Sequence, residues 1–332
     1  MSNVTIYDVA KVAGVSISTV SQTLNRPDRV NSVTRTRVLE AIEQLGYVPN
    51  ATAANQARGG VGRVGVLAPF SSYDSYRRRL MGVLAGSTAT ARDIVVYDNE
   101  SAAASEAPLL RTLPVTGRLD GLLIMGLPVD DELAEHLIRR RQPTVLIDSS
   151  RPEFSSVNID DEEGGAIAAR HLLERGHTCF AFVQEPQESF AFVSQGQRRN
   201  IGFLAEMSDA GFGEDRVHTV LAANDIAGGR KALHDVLSRE PRPTAVFAHH
   251  DVLAAGVLLE CRAQGVRVPD DLAIVGFDDA DIAEAAGLTT IRQHFEESGR
   301  IGIRLLDERL ADASTPVQRI VLGLELVARD TT

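Results

Sequence analysis

Polar and ionisable residues follow several short apolar runs in this 332-residue chain, at the places where the runs end. Carboxylates, hydroxyls, aromatic rings and imidazoles together suit the binding of a small polar or polyhydroxylated molecule. If the runs are parallel strands, ligands bind beyond their carboxyl ends, which gathers these residues at one edge. Each of them can equally be a helix N-cap or a loop residue. They are Pro69, Phe70, Ser71, Ser72, Tyr73, Asp98, Asp148, Ser149, Gln184, His249, His250, Asp251, Asp278 and Asp279.

Catalytic and cofactor-binding patterns do not occur in the sequence. It has no glycine-rich dinucleotide or phosphate loop after a strand and no Gly-x-Ser-x-Gly nucleophile motif. His249, His250 and Asp251 resemble one corner of a metal site, but no Cys or His stands at a matching spacing. Asp278 and Asp279 are adjacent, so their side chains point apart and favour a loop-and-cap role over an acid–base pair. We therefore expect no enzyme, no cofactor and no metal.

The elements that would position these residues alternate between apolar runs and amphipathic stretches from Arg63 onward. Helices are predicted over 162–174 and 252–264, and the arginine triplets 77–79 and 139–141 are interpreted as solvated helix faces. This alternation predicts parallel sheets with helices on both faces. About 270 residues exceed one sheet, so two doubly wound subdomains with a cleft between them are expected. The predicted strands include 64–68, 94–97, 122–125, 144–147, 179–183, 245–248 and 273–277.

The first sixty residues have a different pattern, typical of three short helices. Apolar residues recur at helical spacing, and the third helix is predicted from about 33 to 45. Hydroxyl residues stand where helices would begin and glycines where they would end. Three helices joined by a tight glycine turn predict a helix-turn-helix module. The caps and stops are Thr5, Gly14, Ser16 and Gly46.

Charge is distributed unevenly along the chain. The total is −11, yet residues 1–60 contain six basic and four acidic side chains, which leaves +2 there and −13 in the remainder. This asymmetry is a weak indication of nucleic-acid contact at the amino end. An alanine-rich piece between Pro49 and Gly62 is too short to be a stable helix alone. The predicted organisation is therefore a helical domain (1–48), a hinge helix and linker (49–62) and a two-lobed α/β domain (63–332).

Several protein classes are excluded by composition. No run approaches the roughly 18 consecutive apolar residues of a membrane span, so no membrane partner is expected. Asp8 and Lys11 interrupt the first apolar stretch, which does not fit a secretory signal peptide. Cys179 and Cys261 are too few for a disulfide framework. We expect a cytoplasmic protein.

The amino-terminal block 5–16, TIYDVAKVAGVS, resembles the opening of the LacI/GalR family of bacterial transcription regulators. The resemblance continues with TVS at 19–21 and LGYVPN at 45–50. It extends through the chain in Arg199-x-x-Gly202 and in VGFDD at 275–279. It implies a helix-turn-helix head, a hinge and a periplasmic-binding-protein-like core. Further matching segments are 171–177, 243–247, 268–272 and 288–291.

The resemblance implies that the second helix enters the major groove, the hinge helix enters the minor groove, and a homodimer spans a pseudo-palindromic operator. Ile17, Ser18 and Gln22 match base-reading positions; Gln22 can pair with adenine, and Ile17 can contact a thymine methyl. Ile17 is expected outside the core, because Val15 and Val20 fill the inward positions. The remaining positions carried over to DNA are Thr5, Ser16, Thr19, Ser21, Asn25, Asn31, Thr34 and Asn50.

The hinge departs from the family pattern. Many relatives place a leucine wedge where Gln56 stands, and Gln56 cannot insert by apolar contact. It can hydrogen-bond in the minor groove instead, or Ala57 is the inserted group. We expect weaker DNA kinking than a leucine wedge would give.

Effector positions also carry over, with departures. Asp148, Arg199 and Asp278 match residues that commonly hydrogen-bond the ligand, and His250 stands where relatives usually have asparagine. An aromatic platform common near Asn224 is missing, so stacking would fall to Phe70, Tyr73 or Phe190, beside the hydroxyl of Ser71. A sugar is the implied ligand class. His250 implies an effector affinity that depends on pH near neutrality.

The sequence thus predicts a ligand-responsive DNA-binding regulator, by family default a repressor, with activation as the alternative. An effector between the two lobes would alter the spacing of two heads across a dimer. The chain ends soon after Arg329 without a heptad tail, which favours a dimer over a tetramer. The rival hypotheses are a sugar-binding protein without DNA regulation and an isomerase or hydrolase that uses the cleft.

Overall fold

The structure is a computed structural model that describes residues 4–25, 27–47, 62–88, 92–99, 119–187, 193–213 and 215–332. Two compact units divide the chain. The first comprises residues 1–157 and 295–320, and the second comprises residues 158–294 and 321–332. The chain therefore passes from one unit to the other near residues 157, 294 and 320.

A helical head begins the first unit. It consists of α1 (Ile6–Ala13), α2 (Ile17–Asn25), a 3-10 turn (Pro27–Arg29) and α3 (Ser32–Leu45). The backbone N–H and hydroxyl of Thr5 both donate to the Asp8 carboxylate, at 2.8 and 2.7 Å, and so fix the start of α1. Gly14 ends α1 at φ 63°, a conformation that costs glycine little. The core of the head is small and apolar: Val9, Ala10, Ala13, Val20, Leu24, Val38, Ala41 and Ile42.

The first sheet has six strands in the order β11-β5-β4-β3-β1-β2. Its described strand pairs are parallel, with β1 between β2 and β3. Strands β1, β3 and β4 are apolar and buried because helices cover them. The elements are β1 (Gly62–Ala68), α4 (Asp74–Gly86), β2 (Arg92–Asp98), β3 (Gly121–Met125), α5 (Asp131–Arg139), β4 (Thr144–Ile147), β5 (Ser155–Ile159), α11 (Phe295–Ala311) and β11 (Arg319–Leu322).

The second sheet also has six strands, in the order β12-β10-β9-β8-β6-β7. All its pairs are parallel except β10 with β12. Apolar clusters cover both of its faces, one of them rich in phenylalanine. The elements are α6 (Asp161–Glu174), β6 (Phe180–Gln184), α7 (Gln195–Asp209), β7 (Val217–Leu221), α8 (Ile226–Leu237), β8 (Ala245–Ala248), α9 (Asp251–Gln264), β9 (Ala273–Asp278), α10 (Asp281–Ala286), β10 (Thr289–Arg292) and β12 (Glu325–Val327).

Each unit contains one helix pair that crosses at glycines with the same spacing. In the second unit α6 meets α7, where a Cβ on Gly165 would collide with the Arg199 carbonyl and a Cβ on Gly202 with the Glu162 carbonyl. In the first unit the same relation holds between α4 and α11. Both pairs thus set an Arg-x-x-Gly helix against a Glu-x-x-Gly helix, and the two arginines are Arg79 and Arg199.

The predicted architecture is confirmed: a helical head and two parallel α/β sheets. The helices expected over 33–45, 162–174 and 252–264 begin one residue earlier than predicted. The hinge prediction for 49–62 lies outside the described residues except for Gly62, which begins β1. In the described ranges, no helix combines the length and apolar character needed to cross a bilayer.

Candidate functional site

Hydroxyl side chains cluster at the amino end of α2. The Ser16 Oγ lies 2.7 Å from Ser18 Oγ and 2.8 Å from Thr19 Oγ1, and it accepts a hydrogen bond from the Thr19 backbone N–H at 3.1 Å. Ser16 is therefore the cap of α2, as expected. The amino end of a helix carries partial positive charge and free N–H groups, which together suit a phosphate.

One face of α2 is buried and the opposite face is open. Val20 and Leu24 lie in the core of the head, and the Thr23 hydroxyl donates a hydrogen bond to the Thr19 carbonyl at 2.9 Å. Ile17 exposes 40% of its surface, which confirms that it is not a core residue. Ser18 and Gln22 are exposed and Ser21 is half-buried, so α2 offers an apolar, a hydroxyl and an amide group together.

The other DNA candidates lie around this helix or outside the described chain. Asn31 caps α3 by accepting the Thr34 backbone N–H at 2.8 Å. Tyr7 was missed by the sequence analysis, and it is 68% exposed on α1 with Lys11 one turn further on. An aromatic ring on the polar side of an amphipathic helix is the sequence feature that could have identified Tyr7 as a candidate. Asn25 belongs to α2, while Asn50, Gln56 and Ala57 lie outside the described residues.

In the second unit, Arg199 is buried in a network of charges. Its Nε donates to Asp161 Oδ1 at 2.9 Å, its Nη1 donates to the His249 carbonyl at 2.5 Å, and its guanidinium lies 3.6 Å from the centre of the Phe277 ring. Only 2% of Arg199 is exposed. The positive charge that was expected to face a ligand is therefore matched inside the protein by Asp161.

Asp278 joins this network at the end of β9. Its Oδ2 accepts from His250 Nδ1 at 2.7 Å, its Oδ1 accepts from Gln293 Nε2 at 2.6 Å, and Arg199 Nη1 is 3.9 Å away. Asp278 has φ 116°, a left-handed value that is strained in a residue with a side chain. The structure thus brings together Arg199, His250 and Asp278, three of the residues that the family resemblance assigned to the effector.

The neighbouring carboxylate has other partners. Asp279 accepts from Arg292 Nε at 2.7 Å and from Arg329 Nη2 at 2.6 Å. Burial opposes ionisation of Asp279, but hydrogen bonds from the two arginines hold its pKa below the usual value. The carboxylates of Asp278 and Asp279 thus accept these hydrogen bonds from different side chains.

Burial controls the protonation of the residues that follow β8. It holds the pKa of His249 well below the usual value, with help from His250 and Arg199. Burial and the nearby Asp278 raise the pKa of Asp251 well above its usual value. Asp251 accepts from the Thr290 hydroxyl at 2.6 Å and from the Ala280 backbone N–H at 2.8 Å. Burial therefore favours the neutral form of each of these two groups.

Asp148 of the first unit pairs with a residue that the sequence analysis assigned wrongly. Arg79 Nη2 lies 2.5 Å from Asp148 Oδ2, and the guanidinium lies 5.2 and 4.5 Å from the ring centres of Tyr76 and Phe295. Only 3% of Arg79 is exposed, so the interpretation of 77–79 as a solvated face is wrong at Arg79. Arg77 is exposed, as expected, and binds Asp74.

The remaining effector candidates lie on loops that follow strands. Ser71 is exposed, and its backbone N–H donates to Asp98 Oδ1 at 3.0 Å. The Tyr73 ring is 6.0 Å from that of Tyr76, and Phe70 is half-buried. Asn224 lies after β7, and its buried Oδ1 has no hydrogen-bond partner among the residues that the structure describes. Phe190 falls outside the described residues. Among the residues with described positions, no group of three His, Cys, Asp or Glu could hold a metal.

Two family models match this chain. The model for bacterial regulatory proteins of the lacI family matches residues 5–50, and the model for a periplasmic binding protein-like domain matches residues 169–332. The first covers the helical head with its exposed α2 face. The second covers most of the second unit together with the last strands.

Similar proteins span the whole length of the chain. The transcriptional regulator DegA of Bacillus subtilis is 31% identical over 99% of this chain and 98% of its own. The transcriptional repressor PurR of Vibrio campbellii is 30% identical over 98% of each chain. The solved complex of the transcriptional regulator CelR with cellobiose is 30% identical, with a TM-score of 0.70 over 99% of this chain and 100% of that one.

Proposed function

This chain belongs to the lacI family of bacterial regulatory proteins, and we propose that it is a repressor whose affinity for a pseudo-palindromic operator is set by a small neutral polyhydroxylated effector. It is a DNA-binding transcriptional regulator with an effector-binding domain, and its relatives are regulators rather than enzymes. We propose that it acts in the bacterial cytoplasm, where operator DNA lies. The repressor assignment is supported by the PurR relatives, which carry that name.

One observation carries the DNA-binding part of the proposal. The α2 helix turns Ile17, Ser18 and Gln22 outward while Val20 and Leu24 anchor it in the core. Those three groups can read a base edge by apolar contact, hydroxyl hydrogen bonds and an amide fork respectively. The hydroxyl cluster at Ser16 supplies donors that position a phosphate and carry no sequence information. Weaker kinking at Gln56 stays a prediction.

The effector part is supported by the network after β8 and β9. Arg199, His250 and Asp278 lie together, and the Arg199 charge is matched by Asp161. A site whose arginine is already neutralised favours a neutral hydroxylated ligand over an anion. The relative CelR was solved with cellobiose, which agrees with this class. Placement of the ligand between the two lobes also stays a prediction.

The proposed homodimer is supported by large apolar side chains that are exposed to solvent on the first unit. Met81 and Leu84 on α4 are 53% and 47% exposed, and Val96 on the edge strand β2 is 46% exposed. Exposed apolar side chains on an edge strand and a helix suit a partner surface. The proposed partner is a second copy, because a two-fold dimer matches a palindromic operator.

The test is selection of duplexes from a random library by the full-length protein, followed by anisotropy titration of the best palindrome. Affinity should exceed that for a scrambled duplex by at least about 10³ and fall steeply between 50 and 200 mM salt. Addition of an effector should change it by about 5- to 150-fold. Equal affinity for every duplex would contradict the proposal.

A further inference from the structure

Three consecutive arginines, Arg139, Arg140 and Arg141, lie at the carboxyl end of α5 in the first unit. Arg139 and Arg141 are exposed, and Arg140 is half-buried. In the part of the chain that the structure describes, no carboxylate lies close enough to form an ion pair with any of the three. Other exposed arginines of this unit do have such partners: Arg77 with Asp74, Arg300 with Glu297 and Arg304 with Glu308. The triplet therefore concentrates positive charge in a chain whose net charge is −11.

Arg141 occupies a backbone position that glycine would fit better. Its φ is 49°, and its backbone N–H and that of Gln142 donate to carbonyls in the last turn of α5 at 2.8 and 2.9 Å. Helices α6 and α7 end with the same pair of bonds, and there the left-handed residues are Gly176 and Gly211. A side chain costs stability in this conformation. The guanidinium at position 141 is therefore not needed to end the helix, which indicates a role for its charge.

The triplet lies at the edge of the first sheet where the chain arrives from the helical head. Strand β1 begins at Gly62, and the Arg63 backbone N–H donates to Asp120 Oδ2 at 2.6 Å while its carbonyl accepts from the Asp120 N–H at 2.7 Å. One strand further, the Leu122 N–H donates to the Pro143 carbonyl at 2.9 Å. Because β3 lies between β4 and β1, two interstrand steps of about 4.8 Å separate the start of β4, just after the triplet, from the start of β1.

The helical head places one acidic side chain near the triplet. Burial lowers the pKa of Arg140, and the Glu43 carboxylate in the last turn of α3 opposes this shift. Burial, Arg140 and Arg139 also lower the pKa of His136, one turn earlier on α5, and Glu43 opposes that shift as well. The charge of Arg140 is thus partly offset by the head, whereas Arg139 and Arg141 remain exposed beside it.

We propose that Arg139 and Arg141 bind phosphates of the operator duplex, so that the first α/β unit contacts the DNA backbone in addition to the helical head. This inference rests on the DNA-binding function and the dimer proposed above, and it adds a second contact surface to them. A guanidinium presents a fork of N–H donors that fits a phosphate, and phosphate contacts add affinity without reading sequence. Duplex DNA is favoured over an acidic protein because the same edge of the sheet is joined to the DNA-binding head.

The salt dependence of operator binding tests the proposal, because each phosphate contact releases counterions from DNA. Anisotropy of the full-length protein on the selected palindrome and on a scrambled duplex is compared between wild type and Arg139→Gln/Arg141→Gln. Loss of two contacts from each chain of a dimer should reduce the slope of log affinity against log salt by about 3 to 4. Affinity at low salt should fall at least about tenfold, by the same factor on both duplexes.

Two further double variants control for charge and for position. Arg139→Lys/Arg141→Lys should keep most of the salt slope, because a phosphate also binds lysine as a point charge. Arg239→Gln/Arg242→Gln removes two exposed arginines from the second unit, which the linker does not enter, and should bind as wild type does. Arg141→Gly should unfold at a temperature no lower than that of wild type and still bind both duplexes more weakly, which separates the charge from the helix end.

Glu43→Gln separates a contact with DNA from a contact within the chain. If the arginines bind phosphates, removal of this negative charge should leave affinity unchanged or raise it. A loss of affinity in Glu43→Gln equal to that of Arg139→Gln/Arg141→Gln would mean that the arginines act by holding the head, and would overturn the proposal. So would an unchanged salt slope in the double variant, or a loss confined to the palindrome. Failure of the wild-type protein to prefer any palindrome would instead contradict the regulatory function, so the two failures are distinguishable.

Discussion

At the scale of single residues, exposure on one helix face separates the residues proposed to read DNA from the residues that form the core of the head. Gln22 is exposed on α2 one turn from Ser18, whereas Val20 is fully buried between them along the chain. The helical period of 3.6 residues produces this separation. Base readout and stability can therefore be altered by different substitutions on the same short helix.

Gln22→Ala should change the preferred base at one operator position and cost about 1–3 kcal/mol of binding there, because an amide fork to adenine is lost. The measurement is anisotropy against the selected palindrome and the three variants that carry another base at that position. Gln44→Ala is the control, since Gln44 is exposed on α3. Unchanged base preference in Gln22→Ala would show that α2 does not read bases.

His249 should make stability depend on pH. Its pKa in the folded protein lies well below 6.5, while the unfolded chain takes up a proton near that value. The unfolded state thus binds more protons below pH 6.5, and the free energy of unfolding falls by about 1.4 kcal/mol per pH unit on acidification. Above pH 6.5 this loss is absent.

Urea unfolding at pH 7.5, 6.5 and 5.5 checks this, with His249→Leu as the test variant and the exposed His234→Leu as the control. The His249→Leu protein should lose less stability on acidification than wild type. It should equal or exceed wild type at pH 7.5, because two unpaired buried nitrogens are removed. Parallel losses in all three proteins would refute a role for His249.

At the scale of elements, the close helix crossings hold each unit together. Gly165 on α6 and Gly202 on α7 let the two backbones touch, and this contact places Arg199 above Phe277 and beside Asp161. The spacing Arg-x-x-Gly against Glu-x-x-Gly occurs again between α4 and α11, where it places Arg79 beside Asp148. The same device thus buries one arginine in each unit.

Gly202→Ala should destabilise the second unit by about 1–3 kcal/mol, because its Cβ would overlap the Glu162 carbonyl and force α6 and α7 apart. Thermal unfolding of the full chain is the measurement. Gly323→Ala is the matched control, since a Cβ at Gly323 meets nothing within 4 Å. Equal melting temperatures for the two variants would contradict the crossing argument.

Arg199→Met should cost about 3–5 kcal/mol of stability, because the buried Asp161 carboxylate would lose the positive charge that now pairs with it. The double variant Arg199→Met/Asp161→Asn should recover part of this loss. Arg198→Met is the neighbouring control, for it is half-exposed with a 3.5 Å contact to Glu162 and should cost at most about 1 kcal/mol. A loss no larger in Arg199→Met than in the control would exclude a buried ion pair.

At the scale of the whole molecule, the charge distribution and the proposed two-fold symmetry both bear on how the chain would bind DNA. The net charge of −11 would repel a polyanion if it were uniform, but the first sixty residues carry +2. A head with so small a positive charge needs many contacts to bind DNA. In the proposed dimer each contact is made twice, once by each chain. A dimer on a palindrome supplies that duplication, so the loss of dimerisation should weaken operator binding more than the loss of one base contact.

Leu84→Asp should convert the dimer to a monomer in sedimentation velocity and weaken palindrome binding by at least tenfold, because a charge would enter the proposed apolar interface. Ile138→Asp is the control for the sedimentation measurement, since Ile138 is 50% exposed but belongs to α5 rather than to α4 or β2. A Leu84→Asp protein that sediments as wild type does would place the interface elsewhere.

The sequence alone determined the elements and the helical head. Val9, Val20 and Val38 recur at helical spacing, and Gly14 and Gly46 stand where helices end, so local patterns sufficed. The parallel strands could also be predicted from the sequence, because a strand covered on both faces must be apolar throughout. His250 and Asp278 follow predicted strands and were expected at one sheet edge, whereas Arg199 joined the candidate site only through the family resemblance, because it lies within a helix.

Tertiary structure alone decided which charges are buried. Arg79 shares its sequence surroundings with Arg77, yet one is enclosed by Asp148, Tyr76 and Phe295 while the other is exposed. His249 is likewise indistinguishable from His250 in the sequence, yet in the structure neither of its ring nitrogens has a partner within the described part of the chain. Burial and hydrogen bonding depend on partners distant in sequence, and one-dimensional periodicity carries no information about them.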